Sequence, residues 1–539
     1  MMGWLPVALL AVPLVGALLL LLAPHALRPR LRAYGLVLSG VTLALAVLMV
    51  AVFDYAGAAR PQFEVDQPWI AGLGLRFHLG VDGISLPLVA LTALLTFLCF
   101  VYLCWGRERA GEQLMRARPR ALVFTLLVLE VGMIGTFLAL DLLLFFVFFE
   151  VVLIPMYFLI AIWGGEGRGA ASAKFILYTL LGSVVMLLGL LLVWAQTGTL
   201  DIEALAAAHG AGMARSVQIL AFVAIGVGLA VKTPMWPLHT WLPDAHTEAP
   251  TVGSVLLAGV LLKMGTYGFA RIAIPILPDG AAAVAPWLGA LAVVGIVYGA
   301  LACLAQRDLK RMIAYSSVGH MGFVLLGFAT LTPVGVNGAL FANVAHGLIT
   351  GLLFFLAGAV KDRYHTADMP SLGGGMLATL PRLGSLLTFA SIASLGLPGL
   401  AGFWGEMLAL FGAFQPANVL PRPLFLTYMV IGGLGAVLTA AYFLVMLSRV
   451  THGRPQRPAR PAARVLQEVG GPPPAVPDDV AGPPPAVLDD VGRPPGDVRT
   501  HELLAWTPLV VLILLFGLWP GLLLSLTTPA VLTLLGVAS

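Results

Sequence analysis

The stretch VKTPMWPLHTWLPDAHTEAPTVG, residues 231–253, closes an apolar run that begins near residue 216. Pro234, Pro237 and Pro243 interrupt it. Proline has no amide donor and its ring clashes with the preceding turn, so a helix over 216–243 must break here. Lys232 stands at the break. Irregular backbone at membrane depth is tolerated only where protein buries it or where it lines a wet cavity. An ionisable group there marks function by default. The segment therefore predicts a broken membrane helix with a charge at its break.

Outward from this point the chain repeats the same theme. Of its 539 residues, 59% are hydrophobic and 10% charged, against about 25% charged in a soluble protein. A spanning helix needs roughly 20 apolar residues. That rule gives fourteen spans: 4–23, 33–53, 84–105, 121–139, 141–163, 173–195, 216–243 (broken), 249–274, 285–304, 309–330, 336–360, 381–413 (broken), 424–448 and 503–527. The fold class is an all-α polytopic membrane protein. The first span reads as a membrane helix and not a signal peptide, because Arg28, Arg30 and Arg32 follow its apolar run instead of preceding it.

Lysine and arginine sort to one side. With fourteen crossings, alternate loops hold 23 of the 30 basic residues on one face and 5 on the other. Lys232 and Lys263 lie inside helices. The positive-inside rule then places both termini on the non-cytoplasmic side of a bacterial inner membrane. The net charge of +4 gives no support for nucleic-acid binding. Cys99, Cys104 and Cys303 form no CxxC pair and no metal-ligand spacing, so no metal is expected in the chain. Residues 452–500 are proline-rich, with GPPPAVPDDVA at 471–481 echoed by GPPPAVLDDVG at 482–492. Such composition cannot bury enough apolar surface to order itself, and it reads as a flexible cytoplasmic linker. The loop 54–83, with short apolar stretches around Trp69 and Phe77, reads as ordered, with a hairpin as its expected form.

At 1.5 Å per helical residue, Glu130, Glu150, His320, His346 and Lys263 fall near the middle of their spans. Lys232 and Glu406 flank the breaks in the seventh and twelfth. A carrier with one central site would not need seven helices to contribute one group each. A row of carboxylate, amine and imidazole suits a proton relay. The use of lysine supports this. The chain has 25 Arg and only 5 Lys, yet two of the five sit in the row. Arginine keeps its proton, whereas a buried lysine can give it up. The structural alternative is that each lysine only neutralises a carboxylate and ties helices together. The primary relay candidates are Glu150, Lys232, Lys263, His320, His346 and Glu406; Glu130, Asp141, Asp308 and Lys310 are secondary.

The twelfth span carries its own interruption, Gly396-Leu397-Pro398-Gly399-Leu400-Ala401-Gly402. Paired interruptions in corresponding halves point to an inverted-repeat transporter. The chain then divides into helices 1–3 with the outer loop (1–120), a first five-helix repeat (121–274), a second (285–448), the proline-rich linker (449–501) and a final helix (502–539). Gly432-Gly433-Leu434-Gly435 lies inside a helix and follows no strand, so it reads as helix packing and not as a dinucleotide fingerprint.

With 231–253, the motifs FFEVVLIPMYFLI around Glu150, GVLLKMGTYG around Lys263, DLKRMIAYSSVGHMGF from Asp308 and GVDGISL around Asp82 resemble the antiporter-like membrane subunits of respiratory complex I, NADH-quinone oxidoreductase. The resemblance covers nearly the whole chain. It implies fourteen helices with two inverted five-helix repeats. Glu406, in AGFWGEMLAL, and a chain ending soon after the fourteenth helix are similar to the NuoM type, the mitochondrial subunit-four type; the insertion 452–500 departs from it. The resemblance further implies that Glu150 pairs with Lys232, that Lys232, Lys263 and His320 with nearby His346 carry protons along the axis, and that Glu406 is the terminal donor. It implies NuoL-type and NuoN-type membrane neighbours and surrounding lipid. NADH, FMN, iron–sulfur clusters and quinone would sit on partner subunits, with no cofactor in this chain. The rivals are an Mrp-type cation/proton antiporter subunit, a paralogous complex I subunit, and a scaffold without a transport role.

Overall fold

A computed structural model describes residues 3–22, 30–70, 72, 74–105, 114–115, 117–453 and 496–537. Most of the proline-rich segment, 454–495, lies outside these, as do Arg28, Arg107, Arg109 and Arg116. The chain is a multi-pass membrane protein. Among the described residues twelve helices are long and apolar enough to cross a membrane, the bent pair Thr500–Leu518 and Gly521–Leu534 makes a thirteenth, and the two short arms Pro381–Ser394 and Ala401–Phe414 of a broken helix are read as a fourteenth. They are α1 (Trp4–Leu22), α2 (Leu31–Val52), α3 (Ser85–Trp105), α4 (Pro119–Leu138), α5 (Leu142–Trp163), α6 (Arg168–Thr197), α7 (Arg215–Lys232, with a second arm Trp241–Glu248), α8 (Thr251–Ile276), α9 (Pro278–Ala305), α10 (Leu309–Ala329), α11 (Pro333–Tyr364), α12 (Pro381–Ser394 and Ala401–Phe414), α13 (Arg422–Val450) and α14 (Thr500–Leu518 and Gly521–Leu534).

The breaks in α7 and α12 fall where the prolines predict. Four elements differ from the apolar pattern. α6 begins at Arg168 and α11 runs to Tyr364, because helices continue past the apolar core into the interface. α9 starts at Pro278, where proline suits the first helical turn. The fourth difference is larger. The span 503–527 is not one helix: α14 bends by 70° at Trp519-Pro520 and continues to Leu534.

Loop 54–83 is a hairpin. β1 (Gln62–Ile70) pairs antiparallel with β2 (Leu75–Val81), with irregularities between Gln62 and Val65 and between Pro68 and Ile70. Asp82 then caps α3, accepting from the Ile84 and Ser85 amides at 3.0 Å, while its other oxygen meets buried Arg271 of α8 at 2.6 Å.

The layering explains where charges can reside. α8, α10 and α11 are walled in by protein over 100%, 94% and 94% of their apolar windows, whereas α2 is covered over 28%. Lys263, His320 and His346 lie on those three interior helices. Outward-facing positions of the peripheral helices carry leucine and valine, such as Leu181 and Val437, as a lipid contact requires.

One backbone feature occurs twice. Leu142 N donates to Leu200 O and Ile202 N to Leu140 O, forming a bridge between Asp141 and Asp201. Leu309 N donates to Ala367 O and Met369 N to Arg307 O, forming a bridge between Asp308 and Asp368. From Asp141 to Asp308 and from Asp201 to Asp368 the step is the same, 167 residues. All four aspartates cap helices: Asp141 caps α5, Asp308 caps α10, and Asp201 and Asp368 cap short helices at Ile202–Ala208 and Met369–Leu372. Five crossings separate α5 from α10, so the two clasps lie on opposite faces of the membrane.

Candidate functional site

Lys232 ends the first arm of α7. Thr233 N bonds back to Leu229 O at 2.8 Å, Met235 N to Ala230 O at 2.9 Å, and the Trp241 indole donates to Val231 O at 3.0 Å. The break is thus satisfied from within, and the lysine sits beside the negative end of the half-helix, where a cation is favoured. Its Nζ is buried, has no hydrogen-bond partner among the described residues, and lies 4.6 Å from the centre of the Phe149 ring. Among the described residues Glu150 and Lys232 share no hydrogen bond or salt bridge: the Phe149 ring stands beside the ammonium, and Glu150 acts on it as a nearby charge.

Lys263 lies on α8 between two π-helical turns, Leu257–Leu261 and Phe269–Ala273. Such turns displace carbonyls from the regular ladder and are common at functional sites. Lys263 Nζ takes the Ala258 carbonyl and stands 2.6 Å from His346 Nδ1 on α11. The His346 ring lies edge-on to that of His320 on α10, 5.5 Å between centres. His320 Nδ1 is 2.9 Å from Glu406 Oε1, and its Nε2 is 3.0 Å from the Ser394 hydroxyl. His320, His346, Ser394 and Glu406 line one small cavity. Four of the six primary candidates are therefore strung together as Lys263, His346, His320 and Glu406. Glu406 is on the second arm of α12, and Gly396, at φ +81°, brings the turn of the break against it: a Cβ there would lie 3.1 Å from Glu406 Oε2.

The other half is not joined by direct contacts. Among the described residues Glu130, fully buried on α4, has no hydrogen-bond partner for either carboxylate oxygen, and Glu150 has one enclosed oxygen without a partner. The secondary candidates divide by role. Asp141 is a cap, accepting from Leu143 N at 2.9 Å, Leu144 N at 3.1 Å and Arg76 N at 3.2 Å. Asp308 likewise accepts from Arg311 N at 2.8 Å. Lys310 is buried and takes the Ala249 carbonyl.

Two residues were missed. His246, on the second arm of α7, is fully buried, stacks on Phe354 at 4.5 Å, and lies within electrostatic reach of both Lys310 and Lys263, with neither ring nitrogen hydrogen-bonded among the described residues. Its signal was its place among the prolines of 231–253. Ser394 had none, since a serine in an apolar run reads as packing.

On the hairpin face, outside the spans, His78 on β2 is desolvated by burial, but the carboxylates of Asp201, Asp66 and Glu203 outweigh this and hold its imidazole above the ordinary histidine range.

The family model described as "NADH:quinone oxidoreductase/Mrp antiporter, TM" matches residues 139–434. The NADH-quinone oxidoreductase subunit M of Rhodobacter capsulatus is 40% identical over 501 residues, covering 91% of this chain and 88% of that one. A chain of respiratory complex I from Thermus thermophilus is 30% identical, with a TM-score of 0.79 over 98% of this chain and all of that chain. A chain of the Mrp complex from Dietzia sp. superposes with a TM-score of 0.81 at 23% identity, over 99% of this chain and 97% of that one; that likeness is one of fold alone.

Proposed function

The chain belongs to the NADH:quinone oxidoreductase/Mrp antiporter membrane family, and on that premise we infer that it is the proton-translocating membrane subunit of NuoM type in a multi-subunit NADH-quinone oxidoreductase. The observation that carries this reading is the string of exchangeable groups from Lys263 through His346 and His320 to Glu406, running in close contact across buried interior helices.

In this reading Lys263 and His346 exchange a proton across their 2.6 Å contact. The neighbouring His320 ring relays it, and Glu406 receives it for release. Ser394 holds the far nitrogen of His320 and fixes the ring's orientation. Lys232 and Glu150 form the first half of the relay, and bound water completes the step to Lys263. Lys310 and His246 supply protons to Lys263 from the α10 clasp face. The absence of ligand spacing among the three cysteines supports placing NADH, FMN, iron–sulfur clusters and quinone on partner subunits. NuoL-type and NuoN-type subunits are the proposed membrane neighbours. The Lys/Arg asymmetry supports a bacterial inner membrane with both termini, and the hairpin, on the non-cytoplasmic side.

The test is Glu406→Gln in the assembled complex, with quinone reduction and proton uptake followed in the same vesicles. Loss of pumping with intact assembly is expected. Unchanged protons per electron would overturn the role of Glu406, and cation-dependent proton exchange in membranes lacking quinone reductase would place the chain with the Mrp antiporters.

A further inference from the structure

We propose that Glu64, His78 and Glu203 form a binding site for a zinc-class divalent cation on the hairpin face. The three come from three elements: β1, β2 and the short helix Ile202–Ala208. One ligand atom of each lies within 4.8 Å of the other two.

His78 points to a ligand. It is 5% exposed, and among the described residues neither ring nitrogen makes a hydrogen bond, although carboxylates stand at ion-pair range of both. Polar groups this enclosed nearly always complete their hydrogen bonds, so the ring is incompletely satisfied by its protein neighbours. The surroundings of its two nitrogens differ. Nδ1 faces Asp201 Oδ2 at 3.5 Å, and Nε2 faces Glu64 Oε2 at 3.8 Å. A carboxylate behind one nitrogen of a metal-bound histidine is the usual outer-shell arrangement. It leaves Nε2 free to ligate. Two ligands about 2.0–2.1 Å from one tetrahedral ion stand about 3.4 Å apart, so the 3.8 Å gap from His78 to Glu64 closes by a few tenths of an ångström, and the widest gap in the set, at most 4.8 Å, by up to about 1.4 Å.

The donor set selects the ion. Calcium and magnesium take oxygen ligands, while an imidazole with two carboxylates suits zinc. Arg271 Nη2 is 4.0 Å from Glu203 Oε1, but its other amino group is committed to Asp82 at 2.6 Å. The Glu64 side chain is 47% exposed, so the site opens to water, which would take the fourth position. A bound ion would pin the hairpin to the segment between α6 and α7, next to the Asp141–Asp201 clasp. This site is separate from the interior relay and does not depend on that assignment.

The experiment uses the purified complex, stripped with chelator and titrated with Zn²⁺ at equilibrium, in the unsubstituted form and as Glu64→Gln, Glu203→Gln and His78→Asn. Glu64→Gln changes a largely exposed side chain, so its folding is not at issue, and assembly is checked on native gels. One zinc per complex should be lost or weakened about 100-fold in each variant, by the sensitivity of metal sites to their ligand shells. Hydrogen exchange over 62–81 should slow with zinc only in the unsubstituted complex. Equal zinc stoichiometry and affinity in Glu64→Gln and Glu203→Gln would overturn the proposal, as would zinc binding that leaves exchange over 62–81 unchanged.

Discussion

Replacing Lys232 with arginine separates a relay from a strut. Both side chains are cations, and both can stand over the Phe149 ring as Lys232 does at 4.6 Å, a contact of about 0.5–2 kcal/mol. Because Lys232 Nζ makes no hydrogen bond among the described residues, the exchange breaks none there. What changes is release of the proton. The reference values in water differ by about 2–3.4 pKa units between lysine and arginine, or about 3–5 kcal/mol. That is about a 100- to 2,500-fold penalty on every release step. Moving one charge against a potential costs about 2.3 kcal/mol per 100 mV, so the penalty is as large as the work the relay must do. Quinone reduction and proton pumping, measured per assembled complex, should both fall by at least about tenfold in Lys232→Arg. A strut would instead tolerate arginine and fail in Lys232→Ala. Normal pumping with arginine at 232 would refute the reasoning.

Three further outcomes are expected. Asp141→Ala removes the acceptor of three amides at the start of α5 and should cost about 1–3 kcal/mol; the heated complex should lose this subunit sooner on native gels, while Asp141→Asn stays close to the parent and keeps its activity. Gly396→Ala forces a side chain into φ +81° beside Glu406 Oε2, a strain of about 1–2 kcal/mol, and pumping should drop without loss of assembly. Ser394→Ala frees His320 Nε2; a lost hydrogen bond of about 1 kcal/mol should slow turnover about fivefold, and an unchanged rate would remove Ser394 from the relay.

Much of this molecule was legible in its residues, for identifiable reasons. Apolar length alone marks a crossing, so α1 to α5 appear in the sequence close to where they lie. Prolines announce the breaks beside Lys232 and Glu406. A charge in an apolar run is conspicuous, which is why Lys263 and His346 could be singled out. Their contact could not, because 83 residues separate them and no periodicity records which interior helices touch. The same limit hid the Phe149 ring beside Lys232 and the role of Ser394. The bend in α14 was missed although Pro520 is in plain view, since apolar residues continue on both sides of it. Glu64, His78 and Glu203 escaped notice because no short spacing links them.

The repeated clasp also sets an order of biogenesis. Each clasp joins residues 60 apart in the chain, Asp141 with Asp201 and Asp308 with Asp368, so closing either costs the same loop entropy. Their synthesis is not simultaneous. At about 5–20 residues per second, the 167-residue step means the ribosome finishes the first clasp about 8–33 s before the second. Within that interval, from completion of α8 at Ile276 until residue 346 is made, Lys263 has no imidazole to face, because His346 belongs to the later half. A lone cation in a spanning helix costs about 2.5–3.5 kcal/mol to insert. The nascent first half therefore enters the bilayer carrying a charge whose side-chain partner is still being translated, and translation slowed between residues 263 and 346 should favour its removal by membrane proteases.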